Sequence, residues 1–173
     1  MRIYLMRHGD YSKEKLTRLG KKQVKFSSEY LKKCNIDKIY SSPTTRCIQS
    51  SEIVSKVLNK QFEVRKELNE RSKIVSLRDN DKEEWFKNYL NMNYSCKNIE
   101  GSKEFFDRVK SLINEVISNS NKDENILFVG HSSISYAMAA YFFKEKEWVT
   151  WMAMGNASII CFEVMENENE QGK

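Results

Sequence analysis

The 173-residue sequence contains only two histidines, and each stands one residue beyond an apolar run. His8 follows residues 3–6, and His131 follows residues 126–129. Such runs are typical of buried strands, and the carboxyl ends of strands in an open α/β sheet meet at a crevice where ligands bind. We therefore expect both imidazoles at one edge of a sheet, each beside a glycine that allows close backbone approach to a ligand.

Two arginines accompany the histidines. Arg7 directly precedes His8, and Arg46 lies in the first turn of a helix that Ser42 as N-cap and Pro43 as first helical residue predict. The planar guanidinium group matches two oxygens of a phosphate, and the amino end of a helix favours anions. These residue types predict a phosphate-binding site that contains a reactive imidazole.

Short motifs in a fixed order resemble those of the histidine phosphatase superfamily, also called the phosphoglycerate mutase-like family. They are Arg7-His8-Gly9, Leu16-Thr17 with Gly20 and Gln23, Ser42-Pro43 with Arg46, Leu68-Asn69-Glu70-Arg71, Gly101-Ser102 with Arg108-Val109, Gly130-His131-Ser132, and Asn156-Ala157-Ser158. The resemblance implies a three-layer α/β/α fold with a mostly parallel central sheet. It also implies a phosphatase that works through a covalent phosphohistidine. No metal-ligand spacing such as H-E-x-x-H is present, so we expect no metal and no cofactor.

The same resemblance implies a role for each candidate site residue. His8 attacks phosphorus, while Arg7, Arg46 and His131 hold the phosphate and stabilise its charge. Glu70 protonates the leaving oxygen and later takes a proton from water. The flanking cations disfavour a protonated His8, which leaves its lone pair available. Glu70 stands in a charged stretch, so a solvated loop carboxylate is the alternative interpretation of this residue.

The loop after the first motif is shorter than in the mutases of this family. Only residues 10–15 separate Gly9 from the Leu16-Thr17 element, and Glu14 stands where the mutases carry a phosphate-binding asparagine. A carboxylate there repels phosphate, so the compact phosphatase branch fits better than a phosphoglycerate mutase. The mutase and a non-catalytic phosphate-binding module stay as alternatives. Tyr11 is expected near the mouth of the site.

The elements that must position these residues follow from hydrophobic spacing. Strands are predicted at 3–6, 36–41, 62–64, 126–129 and 158–164, with 126–129 central because it is continuously apolar. Helical spacing links Val24, Ser28, Leu31 and Cys34, then Cys47, Ser51, Val54 and Leu58, then Phe105, Val109, Leu112 and Val116. A further helix is predicted through 137–142, with Ser132 or Ser133 as its cap. Strands alternating with helices indicate an α/β fold.

The chain is expected to form one domain over 1–173. A small cap-like insertion is predicted around 72–100, with a short helix near 80–92 that carries Trp85, Phe86 and Tyr89. Residues 166–173 are expected to form a frayed polar tail. The substrate is expected to be a phosphorylated small molecule or a phosphoprotein, and the motifs do not decide between them. They do not decide the oligomeric state either.

Composition narrows the class of protein further. The net charge is +5, but the lysines are dispersed, so we expect no nucleic-acid partner, and no apolar run is long enough for a membrane span. The four cysteines are scattered without a CxxC pair, which argues against a zinc site or disulfides and favours a cytoplasmic location. Cys47, next to Arg46, is expected to belong to the core rather than to be a reactive thiol.

Overall fold

The computed structural model describes residues 1–71, 88, 91, 93, 100–143 and 154–164. The strands are β1 (Arg2–Arg7), β2 (Tyr11–Ser12), β3 (Lys15–Leu16), β4 (Lys38–Ser41), β5 (Glu63–Val64), β6 (Asn125–Gly130) and β7 (Ile159–Glu163). The helices are α1 (Arg18–Leu31), α2 (Thr45–Leu58), α3 (Ser102–Ser118) and α4 (Ser132–Phe143), with 3₁₀ turns at Lys32–Cys34 and Lys66–Leu68.

Five strands form one sheet in the order β5-β4-β6-β1-β7. The first four are mutually parallel, and β7 runs antiparallel to β1. The predicted strand at 126–129 lies in β6, the central strand, so its predicted place is confirmed. Because β1, β4 and β6 are parallel, their carboxyl ends reach the same edge of the sheet. Arg7 pairs with Gly130 at that edge, and Ser41 pairs with Val129.

Alternate residues of β6 face two separate cores. Ile126 and Phe128 belong to a cluster with apolar residues of α3 and α4, such as Val109. Leu127 and Val129 belong to a second cluster, with apolar residues of α1 and α2. Both faces of β6 are therefore covered by apolar side chains, which explains its unbroken apolar run. The three-layer α/β/α architecture predicted from the sequence is confirmed.

The hydrophobic spacing of the helices is also confirmed. The predicted inward positions are buried: Val24, Ser28 and Leu31 in α1, Cys47, Ser51 and Val54 in α2, and Phe105, Val109, Leu112 and Val116 in α3. The other two predicted positions are not fully buried. Leu58 is the last residue of α2 and is half-buried, and Cys34 lies in the 3₁₀ turn after α1 and is also half-buried. Burial of one such apolar side chain contributes about 1.5–3 kcal/mol.

The predicted helix caps were wrong. α2 begins at Thr45 with Thr44 as its N-cap, two residues later than expected from Ser42 and Pro43. α4 begins at Ser132, so neither Ser132 nor Ser133 precedes the helix. The physical reason is that these hydroxyls have tertiary partners. Ser42 contacts His131, as described below, Ser132 Oγ accepts from the Met154 amide (3.1 Å), and Ser133 Oγ accepts from the Arg71 amide (3.3 Å).

Several predictions fall outside the described residues. They are the short helix near 80–92 with Trp85, Phe86 and Tyr89, most of the cap-like insertion at 72–100, and the polar tail at 166–173. The single-domain organisation with this insertion therefore stays a prediction. Among the helices in the described part of the chain, none is long and apolar enough to cross a membrane.

Candidate active site

His8 stands directly after β1, and its side chain is only 2% exposed. Its amide donates to the Gly130 carbonyl (3.0 Å), and its carbonyl accepts from the Ala157 amide (3.1 Å). The ring atom Nδ1 lies 2.8 Å from the Gly9 carbonyl oxygen. A carbonyl only accepts, so Nδ1 carries the hydrogen in this contact. In the neutral ring the lone pair is then on Nε2.

His131 stands directly after β6 and is fully buried. Its Nε2 lies 2.9 Å from the Ser42 hydroxyl, and its Nδ1 lies 3.3 Å from Arg46 Nη2. The His131 and His8 ring centroids are 5.2 Å apart. The structure thus brings together the two histidines at the sheet edge where the sequence analysis placed them.

Arg46 connects most of the candidate site residues. Its guanidinium is buried in the first turn of α2, and Nε donates to His8 Nε2 (3.1 Å). Nη2 donates to Glu70 Oε2 (2.6 Å), and Nη1 donates to the Glu14 carboxylate. A buried cation requires partners of this kind, because leaving it unpaired in the interior is costly.

Glu70 follows the 3₁₀ turn at Lys66–Leu68, and its side chain is 30% exposed. Besides Arg46, its Oε2 approaches His131 Nδ1 at 3.9 Å. The structure therefore places this carboxylate against the cationic centre, in contrast to the solvated loop interpretation. Its role in proton transfer is a separate matter and stays a proposal.

Arg7 is less closely connected to the site than expected. Its Nη1 donates to the Met154 carbonyl (2.5 Å), and its buried Nε has no hydrogen-bond partner among the described residues. Within those residues it makes no hydrogen bond to His8, Arg46 or His131. An orphaned buried N–H is rare in proteins, and an anionic ligand oxygen is one group that satisfies it.

Comparison with protein families decides the classification. The model for the histidine phosphatase superfamily (branch 1) matches residues 3–171. The chain belongs to this family. A search of curated protein sequences finds no significant match to this chain.

Solved structures with the same fold include three phosphatases. A mycobacterial glucosyl-3-phosphoglycerate phosphatase is 20% identical with a TM-score of 0.77, and the alignment covers 92% of this chain and 88% of that one. An Escherichia coli protein described as an alpha-ribazole-5′-P phosphatase is 22% identical with a TM-score of 0.74 (96% and 92% covered). A histidine-to-alanine variant of phosphoserine phosphatase from Entamoeba histolytica, bound to phosphoserine, is 18% identical with a TM-score of 0.69 (93% and 89%). At these identities the likeness shows the shared fold.

Two further arginines of this histidine phosphatase hold the segment that carries Glu70. Arg71 is buried and donates from Nη2 to the Ser102 hydroxyl (2.8 Å). Arg108 of α3 donates from Nη1 to the Glu67 carbonyl (2.5 Å) and pairs with the Glu100 carboxylate. Ser102 and Arg108 are the residues by which the sequence resembles the family in this region. These contacts hold the segment that carries Glu70 against α3, so the motif positions Ser102 and Arg108 have a structural role.

Two contacts at the site were not predicted from the sequence: that of Ser42 with His131 and that of Glu14 with Arg46. Ser42 was interpreted as a helix cap, although the family motif around it was a signal that it faces the site. Glu14 was interpreted only as a charge that repels phosphate, whereas it is hydrogen-bonded to Arg46. Tyr11 was expected near the mouth. Its ring packs edge-on to the His8 ring (centroids 4.9 Å apart), and the Arg46 guanidinium lies 4.7 Å from its centroid.

Cys47 belongs to the core, as expected. Its Sγ lies 3.5 Å from the Gly130 carbonyl and 3.6 Å from His131 Nε2. Burial raises the pKa of this thiol to about 12, which keeps it protonated at physiological pH. Among the described residues, no group of three or more histidine, cysteine, aspartate and glutamate side chains is arranged to hold a metal ion.

Proposed function

We propose that this histidine phosphatase hydrolyses phosphate monoesters through a covalent intermediate on His8 Nε2. The observation that carries the proposal is the orientation of the His8 ring. Because Nδ1–H is bound to the Gly9 carbonyl, Nε2 holds the lone pair and faces the Arg46 guanidinium. A phosphate held by that guanidinium brings phosphorus next to the lone pair, which is the arrangement that nucleophilic catalysis needs.

In the first chemical step the His8 Nε2 lone pair forms a bond to phosphorus, and the bond from phosphorus to the ester oxygen breaks. The departing oxygen keeps that electron pair and takes a proton from the Glu70 carboxyl group, which has received it from the monoanion of the phosphate ester that displaces Glu70 from Arg46. The alcohol leaves, and a phosphohistidine and a Glu70 carboxylate result. Arg46, Arg7 and His131 stabilise the charge on the three phosphoryl oxygens. The unpartnered Nε of Arg7 supports its part in this task.

In the second step water attacks phosphorus, and the Glu70 carboxylate takes one proton from it. The P–N bond breaks, its electron pair returns to Nε2, and inorganic phosphate leaves. His8 and Glu70 then stand as they did before the first step. The Nδ1–H bond to the Gly9 carbonyl holds the ring in one orientation throughout. Every proton and electron pair is accounted for by these two side chains, the ester and water.

The comparisons support a phosphate ester as the substrate. Among the proteins with this fold, one is named for a phosphorylated sugar acid derivative, and another was solved with phosphoserine. A phosphorylated small molecule or a phosphoprotein fits the same chemistry, and residues 72–100, where we expect substrate selection, lie mostly outside the described part. A cytoplasmic location stays a prediction from the cysteine pattern.

The contact of Glu14 with Arg46 favours the phosphatase over the mutase alternative. A mutase must retain a bisphosphate intermediate, and a carboxylate on the phosphate-binding guanidinium opposes a ligand with that much negative charge. Interconversion of 3- and 2-phosphoglycerate with a bisphosphate primer, faster than phosphate release, is the result that favours the mutase. Phosphate binding without turnover is the result that favours a non-catalytic module.

The decisive experiment is hydrolysis of p-nitrophenyl phosphate in EDTA by the wild type and by His8→Ala. We expect metal-independent release by the wild type and a loss of about a thousandfold or more in the variant. His8→Asn is a sharper second variant, because its amide keeps a donor for the Gly9 carbonyl and lacks the nucleophilic Nε2. Glu52→Gln, on the exposed face of α2, is the matched control and is expected to keep full activity.

Trapping tests the covalent step separately. Wild type mixed with a ³²P-labelled ester and quenched in alkali should retain label that is stable to base and lost in acid, as a phosphoramidate bond requires. Neither His8 variant should retain it. Undiminished hydrolysis by His8→Asn, in a protein that melts like the wild type, rules out His8 as the nucleophile.

A further inference from the structure

The outer face of α1 carries a stripe of exposed apolar residues. Leu19, Phe26 and Tyr30 are 57%, 82% and 56% exposed, and they are three of the five large apolar residues that are exposed in the described part of the chain. Their positions are seven and four residues apart, which places them on one side of a helix with 3.6 residues per turn. The buried residues of α1 lie on the opposite side, and they are Gly20, Val24, Ser28 and Leu31. The helix therefore has a second apolar stripe that the core does not use.

The same helix holds the excess positive charge of the protein. Residues 18–33, which span α1 and the 3₁₀ turn after it, contain six basic residues and one acidic residue, so their net charge of +5 equals that of the whole chain. All six basic residues are exposed, and they are Arg18, Lys21, Lys22, Lys25, Lys32 and Lys33. The acidic residue, Glu29, pairs with Lys32 at 2.7 Å. Lysines occur along the whole chain, but outside this stretch they are balanced by acidic residues.

The two flanks of the apolar stripe differ. One flank is basic and consists of Arg18, Lys22 and Lys25, which follow each other at the helical spacing of four and three residues. The other flank is fixed to the body of the protein. Gln23 accepts a hydrogen bond from the Asp10 amide (2.9 Å), and the Ser27 hydroxyl donates to the Ala157 carbonyl (2.6 Å). The helix is thus held in place, and it presents the apolar stripe and the basic flank side by side.

Charge decides which partner fits this face. A second copy of the chain would bring another basic helix against the first, and like charges repel. Protein interfaces are depleted in lysine, whereas five of the six basic residues here are lysines. Nucleic acids are bound largely through hydrogen bonds, and the side chains of Leu19 and Phe26 at the centre of the face have no donor. A bilayer with anionic headgroups matches both features, because apolar side chains enter its boundary while ammonium groups on long stems reach the phosphates.

We infer that the outer face of α1 binds the surface of membranes that contain anionic lipids. Leu19 and Phe26 enter the boundary between headgroups and acyl chains, and Tyr30 lies there with its polar tip toward water. The basic flank lies at the level of the lipid phosphates, where each basic residue adds a modest attraction. Such binding is reversible and differs from crossing the membrane. It does not depend on the proposed phosphatase function, because none of these residues belongs to the candidate active site.

The test measures the partition of the full-length protein onto sucrose-loaded vesicles by sedimentation at low ionic strength. One set of vesicles is phosphatidylcholine alone, and the other contains about 30% phosphatidylglycerol. The wild type should bind the anionic vesicles at least about tenfold more tightly, and added salt should weaken this binding. Phe26→Gln removes the most exposed apolar side chain, and Lys22→Gln/Lys25→Gln removes two charges from the basic flank. Each variant should lower the partition coefficient on anionic vesicles about tenfold.

The matched controls change the same residue types on other helices. Phe143→Gln replaces an exposed phenylalanine of α4, and Lys56→Gln/Lys110→Gln replaces exposed lysines of α2 and α3. Both should bind like the wild type. Thermal unfolding of every variant should match the wild type, because all the replaced side chains are exposed. Leu19→Gln repeats the apolar substitution at a second position of the stripe.

Several results overturn the inference. Equal binding of the wild type to both kinds of vesicle removes the role of anionic lipid. Unchanged binding by Phe26→Gln and Leu19→Gln removes the apolar stripe, and a loss of the same size in a control removes the assignment to α1. Heparin and polyglutamate, offered as competitors, test the other partners. Displacement of the protein from anionic vesicles by either polymer, with Phe26→Gln binding that polymer as tightly as the wild type, assigns the face to a nucleic acid or an acidic protein instead.

Discussion

Arg46 can be buried because its guanidinium faces lone pairs or carboxylates on several sides. His8 Nε2, His131 Nδ1, Glu14 and Glu70 all lie within hydrogen-bond distance of it. Without a ligand the two carboxylates supply the negative charge that phosphate would bring. In the proposed function, phosphate binding exchanges one anion for another around a cation that is already desolvated and oriented. Such preorganisation is where electrostatic catalysis gains most of its effect.

Cys47 provides a residue-scale prediction that separates a histidine mechanism from a thiol mechanism. Its thiol pKa is raised to about 12 by burial, so only about one molecule in ten thousand carries a thiolate at pH 8. We expect iodoacetamide at pH 8 to label half-buried Cys34 and exposed Cys161 in the native protein while Cys47 stays unlabelled. Peptide mass spectrometry of native and guanidinium-denatured samples measures this.

Hydrolysis of p-nitrophenyl phosphate should survive the same treatment, because the proposed nucleophile is an imidazole. Raising the pH increases labelling of Cys47 only as the pH approaches the raised pKa. Labelling of Cys47 in the native protein at pH 8, together with loss of hydrolysis, contradicts both the burial of the thiol and the assignment of His8.

At the scale of elements, the start of α1 touches the loop that follows His8. A Cβ on Gly20, in the first turn of α1, lies 2.0 Å from the Asp10 carbonyl oxygen, and one on Gly9 lies 2.5 Å from the Gly20 oxygen. Both neighbours are backbone atoms and cannot rotate away. We expect Gly20→Ala to lower the free energy of unfolding by about 1–3 kcal/mol and to reduce kcat/KM by displacing the loop beside His8. Urea unfolding and p-nitrophenyl phosphate hydrolysis measure the two effects.

Gly155 is the matched control for this substitution. No atom of the described residues, its chain neighbours aside, lies within 4 Å of a Cβ at that position, and its φ is not positive. Gly155→Ala should change the free energy of unfolding by less than about 0.5 kcal/mol. Equal losses in the two variants would show that glycine is not needed for the contact between α1 and Asp10.

The elements that the sequence predicted well are those that make the core. β1 and β6 carry apolar runs because most of their side chains are buried, and burial leaves a clear hydrophobic pattern. The hairpin of β2 and β3 was not predicted, since its turn residues are Lys13 and Glu14 rather than the Asn and Gly that are typical of such a turn. The prediction of Ser42 as the N-cap of α2 was wrong because of a tertiary contact. A serine before a proline is a good local cap, and only the tertiary contact with His131 overrides that preference.

The candidate site was predictable to the extent that it is built from strand ends. His8, Arg46 and His131 converge because β1, β4 and β6 are parallel neighbours, and Glu70 was placed by its motif. The partners of these residues were not predictable, because side-chain hydrogen bonds across 24 to 89 residues of sequence leave no periodic signal. The chemical roles of all the site residues stay proposals until the substitutions are made.

At the scale of the whole molecule, one ion pair connects an edge of the sheet to the layer of helices that covers it. Arg65 follows the edge strand β5, and its amide donates to the Ser41 carbonyl (2.8 Å). Its guanidinium binds Glu115 of α3 through both Nη atoms, at 2.8 and 2.6 Å. The hydrogen bond from Arg65 lowers the pKa of the Glu115 carboxyl. This pair therefore makes the stability of the fold depend on pH.

The sign of that dependence follows from the direction of the pKa shift. A carboxyl group whose pKa is lower in the folded state stabilises the fold above its unfolded pKa of about 4.3, and this contribution is lost as the pH falls through the folded pKa. We expect Glu115→Gln to lower Tm by about 1–3 °C at pH 7, as for an exposed pair, and the difference from the wild type to be smaller at pH 3. Glu52→Gln should match the wild type at both values. A difference in Tm for Glu115→Gln that is the same at pH 7 and pH 3 contradicts the ion pair as its cause, because only the ionised carboxylate can form it.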